Sequence, residues 1–324
     1  MSITTLMILT LQAGVAGQMI FSDLKRVSDQ PLMVPRGTGF ESAGAFNPAV
    51  IRHKNKFVMI YRAQDGTGKS YLGYAESRDG VHFEREDKPV MVPEAEYEKD
   101  GGVEDPRLIK FGATYYLTYT GYNKTDAQLC IATSKDLKHW QRQGIAMPAN
   151  KGTWNVRWTK SGAIVPVKIA GKYWMYYMGD GANDGHDQMG LAVSDDLLHW
   201  TDATKKPVLE RRPGEFDSQV VEPGPPPIIT ADGILLVYNG ADDKKVYRTA
   251  WVLFDKKDPG KVLARSNKPI FEPEHEWEKK GQVPNVVFVE GMVKKGVGYL
   301  LYYGAADSAI GVAESKLIST PAGK

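Results

Sequence analysis

The sequence predicts an all-β fold, a five-bladed β-propeller, because one strand pattern recurs five times at a spacing of about sixty residues. The pattern is an aromatic strand that ends in Gly or a small residue. Its copies are Phe57–Tyr61, Tyr115–Tyr119, Tyr173–Tyr177, Ile234–Tyr238 and Tyr299–Tyr303. Each unit holds several short β-branched and aromatic runs between Gly, Asn, Asp and Lys turns, without helical periodicity beyond two turns. Four-stranded sheets around an axis fit this description, whereas a β-sandwich does not explain a fivefold recurrence.

Composition sets the limits of the domain organisation. The chain has 324 residues, 42% of them hydrophobic and 25% charged, which is enough for a full core. We expect a single propeller domain over residues 24–320, preceded by an N-terminal extension, residues 1–23. The net charge is only +2 and no long basic block occurs, so nucleic acid is not an expected partner.

The N-terminal extension leaves two interpretations open. Leu6–Leu11 is mildly apolar and is followed by small residues, but no Lys or Arg precedes Lys25. Residues 1–18 are therefore read either as a weak export signal or, preferably, as an upstream mis-start before Met19. The apolar run is too short to span a bilayer, so no membrane partner is expected. The single cysteine, Cys130, permits a cytoplasmic location, and a cleaved signal would make the protein periplasmic or secreted.

A second repeat has the form Ser-x-Asp-x-x-His-aromatic. It occurs at Ser77–Phe83, Ser134–Trp140 and Ser194–Trp200, each time after a small apolar strand. Ser and Asp organise turns, and the aromatic residue can pack between blades. We therefore predict a structural role for these segments and for their histidines, His82, His139 and His199.

Polar residues interrupt apolar sequence at the same phase of each predicted inner strand. They lie in Phe46–Pro48, Glu104–Arg107, Lys160–Gly162, Glu222–Pro227 and Asn285–Glu290. Inner strands of a propeller start near the axis, so these groups should converge on one funnel.

The run Gly102-Val-Glu-Asp-Pro-Arg107 places two carboxylates and a guanidinium at the start of a strand. In an extended backbone Glu104 and Asp105 point to opposite faces, and Pro106 should hold Asp105 extended. A carboxylate beside a cation suits acid catalysis on a sugar, while a surface turn with an ion pair is the other interpretation.

Seven segments together resemble glycoside hydrolase family 130, and the resemblance runs from about Leu24 to Ser315. These segments are Gly102–Arg107, Phe46–Ala49, Tyr61–Arg62, Gly224–Pro227, Tyr247–Arg248, Asn285–Phe288 and Tyr303–Asp307. The resemblance implies a five-bladed propeller that acts on β-linked mannosides with inversion at the anomeric carbon, most members being phosphorylases and others hydrolases. It also implies that Asp105 is the general acid, with its proton passing through the substrate's 3-hydroxyl. Such an acid calls for a raised pKa, so Arg107 should turn away or contact substrate.

The chain departs from the phosphorylase pattern at two expected phosphate ligands. Asn239 stands where a His is usual, and Val220 stands where a Lys is common. The chain offers Glu222 and Glu290 nearby, and a carboxylate in a phosphate pocket would repel phosphate by roughly 1 to 4 kcal/mol at about 4 Å. An inverting hydrolase needs such a group as the base for water. We therefore predict a β-1,2-mannosidase-like hydrolase with Glu222 as first choice of base, Glu290 as second and Glu278 as third, and a β-mannoside phosphorylase as the alternative.

The remaining candidates are substrate ligands. The predicted set is Asn47, Arg62, Glu104, Arg107, Arg157, Lys160, His186, Asn239, Arg248 and Asp307. Four of them, Arg62, Arg157, Lys160 and Arg248, are cations that would equally serve a phosphate site, a sugar site or ion pairs with the glutamates. Trp154, Trp158 and Trp277 are candidates for stacking on sugar rings or for packing between blades.

No metal or other cofactor is expected. The acidic loop Gly179–Asp187 lacks the ligand order of a calcium loop, so it is predicted to face substrate. The expected partners are an oligosaccharide and, for the alternative, inorganic phosphate, and an oligomer is compatible with the sequence. A non-catalytic mannan-binding propeller is the third interpretation, because a fold alone does not establish activity.

Overall fold

The structure is a computed structural model that describes residues 18–151, 154–181 and 186–319. Its strands, in chain order, are β1 (Met19–Phe21), β2 (Lys25–Arg26), β3 (Gly44–His53), β4 (Lys56–Gln64), β5 (Ser70–Ser77), β6 (Glu84–Arg85), β7 (Gly102–Phe111), β8 (Thr114–Tyr122), β9 (Ala127–Ser134), β10 (Gln141–Met147), β11 (Thr159–Ile164), β12 (Tyr173–Gly181), β13 (His186–Ser194), β14 (Thr201–Asp202), β15 (Val220–Pro223), β16 (Ile228–Ile229), β17 (Ile234–Ala241), β18 (Tyr247–Phe254), β19 (Val262–Arg265), β20 (Val287–Lys295), β21 (Gly298–Ala305), β22 (Ala309–Ser315) and β23 (Leu317–Ser319). Helix α1 (Glu276–Lys279) and two 3-10 turns, Gly39–Glu41 and Glu96–Glu98, complete the elements.

These strands form the five predicted blades, so the five-bladed β-propeller is confirmed. Blades 1 to 3 are the antiparallel sheets β3 to β6, β7 to β10 and β11 to β14. Blade 4 runs from β15 to β19, its inner strand being split into β15 and β16. Blade 5 joins β20, β21 and β22 to β2, which comes from the other end of the chain.

The start of the fold lies earlier than the predicted boundary at residue 24. Strand β1 pairs with β23, and the Phe21 side chain is buried in a core cluster with residues of blades 4 and 5. The predicted signal or mis-start lies outside the described residues except for Gln18, and the boundary at residue 320 stays a prediction. Within the described part of the chain, no helix combines the length and the apolar character needed to cross a membrane.

Apolar clusters between neighbouring blades form the core. For example, Val58 and Ile60 of blade 1 pack with Leu117 and Tyr119 of blade 2. The parallel contact between these blades pairs Ser70 with Gly102. Gly102 has φ +117°, and a Cβ there would lie 2.2 Å from the Ser70 carbonyl oxygen. Only glycine fits this junction, where β7 begins its course toward the propeller axis.

The Ser-x-Asp-x-x-His-aromatic segments are turns, as predicted. In each, the His Nδ1 lies 2.7 Å from the Asp carboxylate, and the backbone N–H of the same His donates to that carboxylate. The three rings are almost fully exposed. Trp140 and Trp200 donate from Nε1 to a carbonyl of their own turn.

A repeated polar cluster, which we call the Tyr–acid–Arg cluster, ties the second strand of a blade to its outer strand. In blade 2 the Tyr119 hydroxyl donates to the buried Glu98 carboxylate at 2.7 Å, and Arg142 donates to the same group at 2.9 Å. Blades 1, 4 and 5 repeat the arrangement with Tyr61, Glu41 and Arg85, with Tyr238, Asp217 and Arg265, and with Tyr303, Glu278 and Arg26. Blade 3 differs, because the Tyr177 hydroxyl contacts Asn155 and Asp202 instead.

Inner strands carry an irregularity where they reach the axis. The ladders of β3, β7 and β11 shift register at Asn47, at Asp105 and around Ser161, and these three residues have φ of 48°, 50° and 59°. A bulge of this kind turns side chains of adjacent residues toward one side of a strand. The bulges therefore aim polar groups into the centre of the ring.

Candidate active site

The inner strands surround a cavity of about 150 Å³, which we call the axial cavity. It is lined by Asn47, Arg62, Asp105, Lys160, Glu222, Tyr247, Val283, Val286, Phe288 and Asp307. Six of the predicted site residues therefore come together here. A larger groove of about 330 Å³ lies on the surface beside Tyr299, but the charged residues that line it are exposed.

Asp105 lies in a hydrogen-bond network with four other residues. Its Oδ1 accepts hydrogen bonds from Asn47 Nδ2 at 2.8 Å and from Arg62 Nη1 at 3.1 Å. Arg62 also donates from Nη2 to Glu104 at 2.6 Å, and Ser70 donates to the same carboxylate at 3.1 Å. One guanidinium thus bridges both carboxylates. Its Cζ lies 4.8 Å from the centroid of the Phe46 ring.

The extended backbone predicted for Asp105 is wrong. Its φ of 50° is in the left-handed region, and the register slips between Glu104 and Arg107. The bulge removes the alternation on which the prediction rested, so Glu104 and Asp105 both reach Arg62. Asp105 faces the axial cavity, while Glu104 lies behind Arg62 and does not line it.

The two carboxyls titrate as a coupled pair with opposite shifts. Burial acts to raise the pKa of Asp105, but Arg62 and Lys160 outweigh it, so the pKa of Asp105 is lowered. Burial also raises the pKa of Glu104, and there it exceeds the attraction of Arg62. The raised pKa expected for Asp105 is therefore not found, and Asp105 is ionised at neutral pH.

Glu222 and Lys160 occupy a second wall of the cavity. Ser161, held at φ 59° by the bulge in β11, donates its hydroxyl to Glu222. Burial raises the pKa of Glu222, although Arg107 and Lys160 oppose the shift. The pKa of Lys160 is also raised, because Glu104, Asp105 and Glu222 outweigh its burial. The Lys160 ammonium has no carboxylate within ion-pair distance among the described residues, and it lies 4.9 Å from the Trp158 ring centroid.

Two more acidic residues contribute to the electrostatic field of the axial cavity. Burial raises the pKa of Asp307, which lines the cavity, to about 6 in spite of Arg62. Burial and the nearby Glu222 raise the pKa of Asp187 to about 7. Sequence reasoning missed Asp187, although it ends the acidic loop Gly179–Asp187, and most of that loop's centre, residues 182–185, lies outside the described residues.

Arg107 turns away from the Asp105 carboxylate, one of the two options predicted, and does not contact the axial cavity. Its side chain is about 1% exposed and lies 3.0 Å from Glu290. Because Glu290 is fully buried against this guanidinium and does not line the axial cavity, its prediction as a base is not supported. Burial raises the pKa of Glu290 well above its ordinary range.

Glu278 and Asn239 are structural in this fold. Glu278 belongs to the Tyr–acid–Arg cluster of blade 5, where Arg26 and Tyr303 occupy its carboxylate, so it is not available as the predicted base. The Asn239 amide donates to the Val289 carbonyl at 3.0 Å and accepts from the Val289 N–H at 2.9 Å. It joins blades 4 and 5 and does not line the cavity.

Three predicted ligands lie elsewhere. Arg248 is paired with Asp242 at 2.8 Å and with Glu272 at 3.3 Å. Arg157 is half exposed and lies 3.3 Å from Asp180. His186 begins β13 and is not among the residues that line the cavity. The predicted convergence of four cations therefore reduces to Arg62 and Lys160.

Aromatic residues at the site were only partly foreseen. Tyr247 and Phe288 line the cavity with ring centroids 6.2 Å apart, and they lie in segments that carried the family resemblance. Trp158 is partly exposed between Arg157 and Lys160. Trp277 stacks on Tyr303 at 5.9 Å and packs against the core, so its use is packing between blades.

The chemistry that these groups offer is proton transfer and charge stabilisation. Within the described ranges, no group of three or more His, Cys, Asp or Glu is arranged to hold a metal ion. The cavity joins an acid held by two donors, a second carboxylate across the axis and a buried ammonium. Paired carboxylates in one cavity are the arrangement that enzymes acting on glycosidic bonds use.

Comparison with known proteins gives the family. The sequence model of glycoside hydrolase family 130, described as beta-1,4-mannooligosaccharide phosphorylase, matches residues 24–319. The chain belongs to this family, and the resemblance seen in the sequence is confirmed. It is 43% identical to a 1,2-beta-oligomannan phosphorylase of Thermoanaerobacter sp. strain X514, over 90% of this chain and 96% of that one.

Two solved structures extend the comparison. The beta-1,2-mannobiose phosphorylase from Listeria innocua, in complex with beta-1,2-mannobiose, has a TM-score of 0.81 at 27% identity, covering 91% of this chain and 97% of its own. A second structure has a TM-score of 0.83 at 34% identity, covering 97% and 99%. It comes from work showing that the family of mannoside phosphorylases contains glycoside hydrolases that target beta-1,2 mannosidic linkages in Candida mannan.

Proposed function

We propose that this protein is an inverting phosphorylase of β-1,2-linked mannosides, which transfers a mannosyl unit to inorganic phosphate. The relatives that are 43% and 40% identical over 90% of the chain are phosphorylases of β-1,2-mannosides, which favours this alternative over the hydrolase first predicted. The choice concerns the acceptor, since both reactions use the same proton donor.

The observation that carries the proposal is the Lys160 ammonium. It faces the axial cavity and, among the described residues, has neither a carboxylate within ion-pair distance nor a hydrogen-bond partner. The surrounding carboxylates keep this ammonium charged, but none of them is paired with it, so it can bind an anion that arrives with the reaction. Arg62 on the neighbouring wall and the Tyr247 hydroxyl supply further donors for phosphate oxygens.

The low pKa of Asp105 fits a phosphate acceptor. A general acid must carry a proton, whereas the nearby cations, chiefly Arg62 and Lys160, keep Asp105 ionised. A phosphate dianion bound near Lys160 and Arg62 would compensate their charge and raise the pKa of Asp105. Binding of the acceptor would thus load the acid with its proton, which then passes to the leaving sugar through the substrate's 3-hydroxyl.

Hydrolysis is the second candidate, and Glu222 favours it. This buried carboxylate faces the same cavity, and its raised pKa suits a general base near neutrality. The cavity lining also holds three carboxylates, Asp105, Glu222 and Asp307, against the two cations Arg62 and Lys160. A site with this balance of charge repels phosphate when all three acids are ionised.

One assay separates the candidates. The protein is incubated with β-1,2-mannobiose with and without inorganic phosphate, and the products are followed by proton and phosphorus NMR. We expect α-mannose 1-phosphate that appears only with phosphate, and no product from Asp105→Asn. Free mannose formed at the same rate without phosphate would refute the phosphorylase and establish the hydrolase. Saturable binding of mannobiose without turnover under either condition would refute both and establish a lectin.

A further inference from the structure

Strand β7 contributes to two cavities of the propeller, and Arg107 lies in the chain between the residues that line them. One is the axial cavity. The other, which we call the lower cavity, has a volume of about 230 Å³ and is lined by later residues of the same inner strands, among them Ala49–Arg52, Leu108–Lys110 and Glu290–Lys294. Glu290, which lies 3.0 Å from Arg107, lines the lower cavity and does not line the axial cavity.

Arg107 joins the backbones of two blades. It donates from Nη1 to the Asp105 carbonyl at 3.0 Å, from Nη2 to the Pro223 carbonyl at 2.9 Å and from Nε to the Gly224 carbonyl at 3.3 Å. Asp105 carries the proton donor of the proposed reaction, and Pro223 directly follows Glu222. One planar guanidinium therefore ties the wall that holds the acid to the wall that holds the acceptor side.

Glu290 of blade 5 lies against this tie. Arg107 Nη1 lies 3.0 Å from Glu290 Oε1, but the approach is not aligned as a hydrogen bond, and neither carboxylate oxygen has another hydrogen-bond partner within the described part of the chain. Both side chains are about 1% exposed or less. A buried pair of this kind adds little stability over an apolar pair of equal volume, so its presence on the axis calls for another reason.

We propose that Arg107, held by Glu290, is a positioning residue that sets the distance between the Asp105 and Glu222 walls. The inference rests on the proposed function, because it assigns the reacting groups to those two walls. Small displacements of reacting groups are expensive, since an error of about 1 Å can cost about 100-fold in rate. Lysine at position 107 keeps the charge, but one ammonium cannot reproduce the planar fork that reaches all three carbonyls.

The fold supplies a matched control for simple loss of stability. The buried Glu98 and the 20% exposed Arg142, in the Tyr–acid–Arg cluster of blade 2, form another ion pair with hydrogen bonds at 2.9 and 3.1 Å. Neither residue lines the axial cavity. Arg142→Lys and Glu98→Gln should lower the melting temperature about as much as Arg107→Lys and Glu290→Gln, without moving a reacting group.

The experiment measures kcat, KM, the pH profile and the melting temperature of these four variants and of Arg107→Met. We expect Arg107→Lys to lower kcat about 100-fold and Glu290→Gln about 10-fold, with KM for mannobiose changed less than threefold. Arg107 is one of the cations that lower the pKa of Asp105, so Arg107→Met should move the alkaline limb of the profile to higher pH and Arg107→Lys should not. Where Arg107→Lys does not fold, Glu290→Gln carries the test because it retains the volume.

The proposal is overturned if the axial variants lose no more kcat than the blade 2 controls at equal loss of melting temperature. If the wild type cleaves mannobiose neither by phosphorolysis nor by hydrolysis, the proposed function fails. Crystal structures of the wild type and of Glu290→Gln then test the positioning role of Arg107 on their own. A changed separation of the Asp105 and Glu222 backbones supports it, and superimposable walls refute it.

Discussion

Replacement of Glu222 by Gln should change the two candidate reactions in opposite directions. Glu222 is buried, faces the axial cavity and accepts a hydrogen bond from Ser161. The amide has the same shape and removes the charge. A phosphate bound about 4 Å away would be freed of a repulsion of roughly 1 to 4 kcal/mol. This range corresponds to a fall in KM for phosphate of about fivefold to several hundredfold.

The expected fall in KM for phosphate depends on pH. Because burial raises the pKa of Glu222, a fraction of the wild-type molecules already carries a neutral Glu222 near that pKa. The change in KM caused by the mutation should therefore be smallest there. As pH rises through the raised pKa, the wild type gains the charge and its KM for phosphate should increase. The KM of Glu222→Gln should lack this increase.

The assay is initial-rate phosphorolysis of β-1,2-mannobiose at varied phosphate concentration, from pH 5 to 8, roughly the range in which a raised carboxyl titrates. Glu98→Gln, a buried carboxylate outside the cavity, is the control for folding. If hydrolysis is the reaction instead, Glu222→Gln removes the base and should lower kcat about 100-fold to 10,000-fold. Unchanged kinetics with both acceptors would refute the placement of Glu222 on the acceptor side.

Three further predictions follow from the same contacts. The pKa of Asp307 rises from 3.8 to about 6 on folding, so the folded state loses stability as pH rises between these values. At pH 7.5, Asp307→Asn should therefore raise the free energy of unfolding by up to about 3 kcal/mol, and the melting temperature with it. The gain should be absent below pH 4, and activity should be lost. Tyr119→Phe leaves the buried Glu98 carboxylate without one donor and should cost about 1 to 3 kcal/mol in urea unfolding at unchanged kcat; equal stability would contradict the cluster. His139 is exposed, and within the described part of the chain its ring is paired with no carboxylate except Asp136 of its own turn. His139→Ala should therefore retain wild-type kcat and KM, and a loss of activity would contradict a purely structural turn.

The fold was predictable because its signals are local and repeated. The aromatic strands and the Ser-x-Asp turns recur with the blades, and the phase of the polar interruptions identified the inner strands. The Tyr–acid–Arg cluster was missed, although its signal is present: Glu41, Glu98, Asp217 and Glu278 each precede the tyrosine they bind by a similar distance. Read as a repeat, this spacing would have removed Glu278 from the candidates for a base.

The sequence predicted which residues form the site better than it predicted how they are arranged. Asn47, Arg62, Asp105, Lys160, Glu222 and Asp307 line one cavity, but the left-handed backbone at Asp105 was not foreseen. A residue before proline is ordinarily extended, and only the bulge imposed by pairing with β8 overrides that preference. The inward turn of Arg107 likewise depends on carbonyls more than 100 residues away, at Pro223 and Gly224, to which no local pattern points.

The fifth sheet takes its outer strand from the beginning of the chain and its other three from the end. During synthesis, Lys25–Arg26 must therefore wait until Ala309–Ser315 has left the ribosome before the circle can close. Until then the edge of the last blade presents unpaired N–H and C=O groups, which favour pairing between chains. We expect closure to be the slow and aggregation-prone step of folding, and a variant lacking residues 1–26 to form soluble assemblies rather than monomers on size-exclusion chromatography.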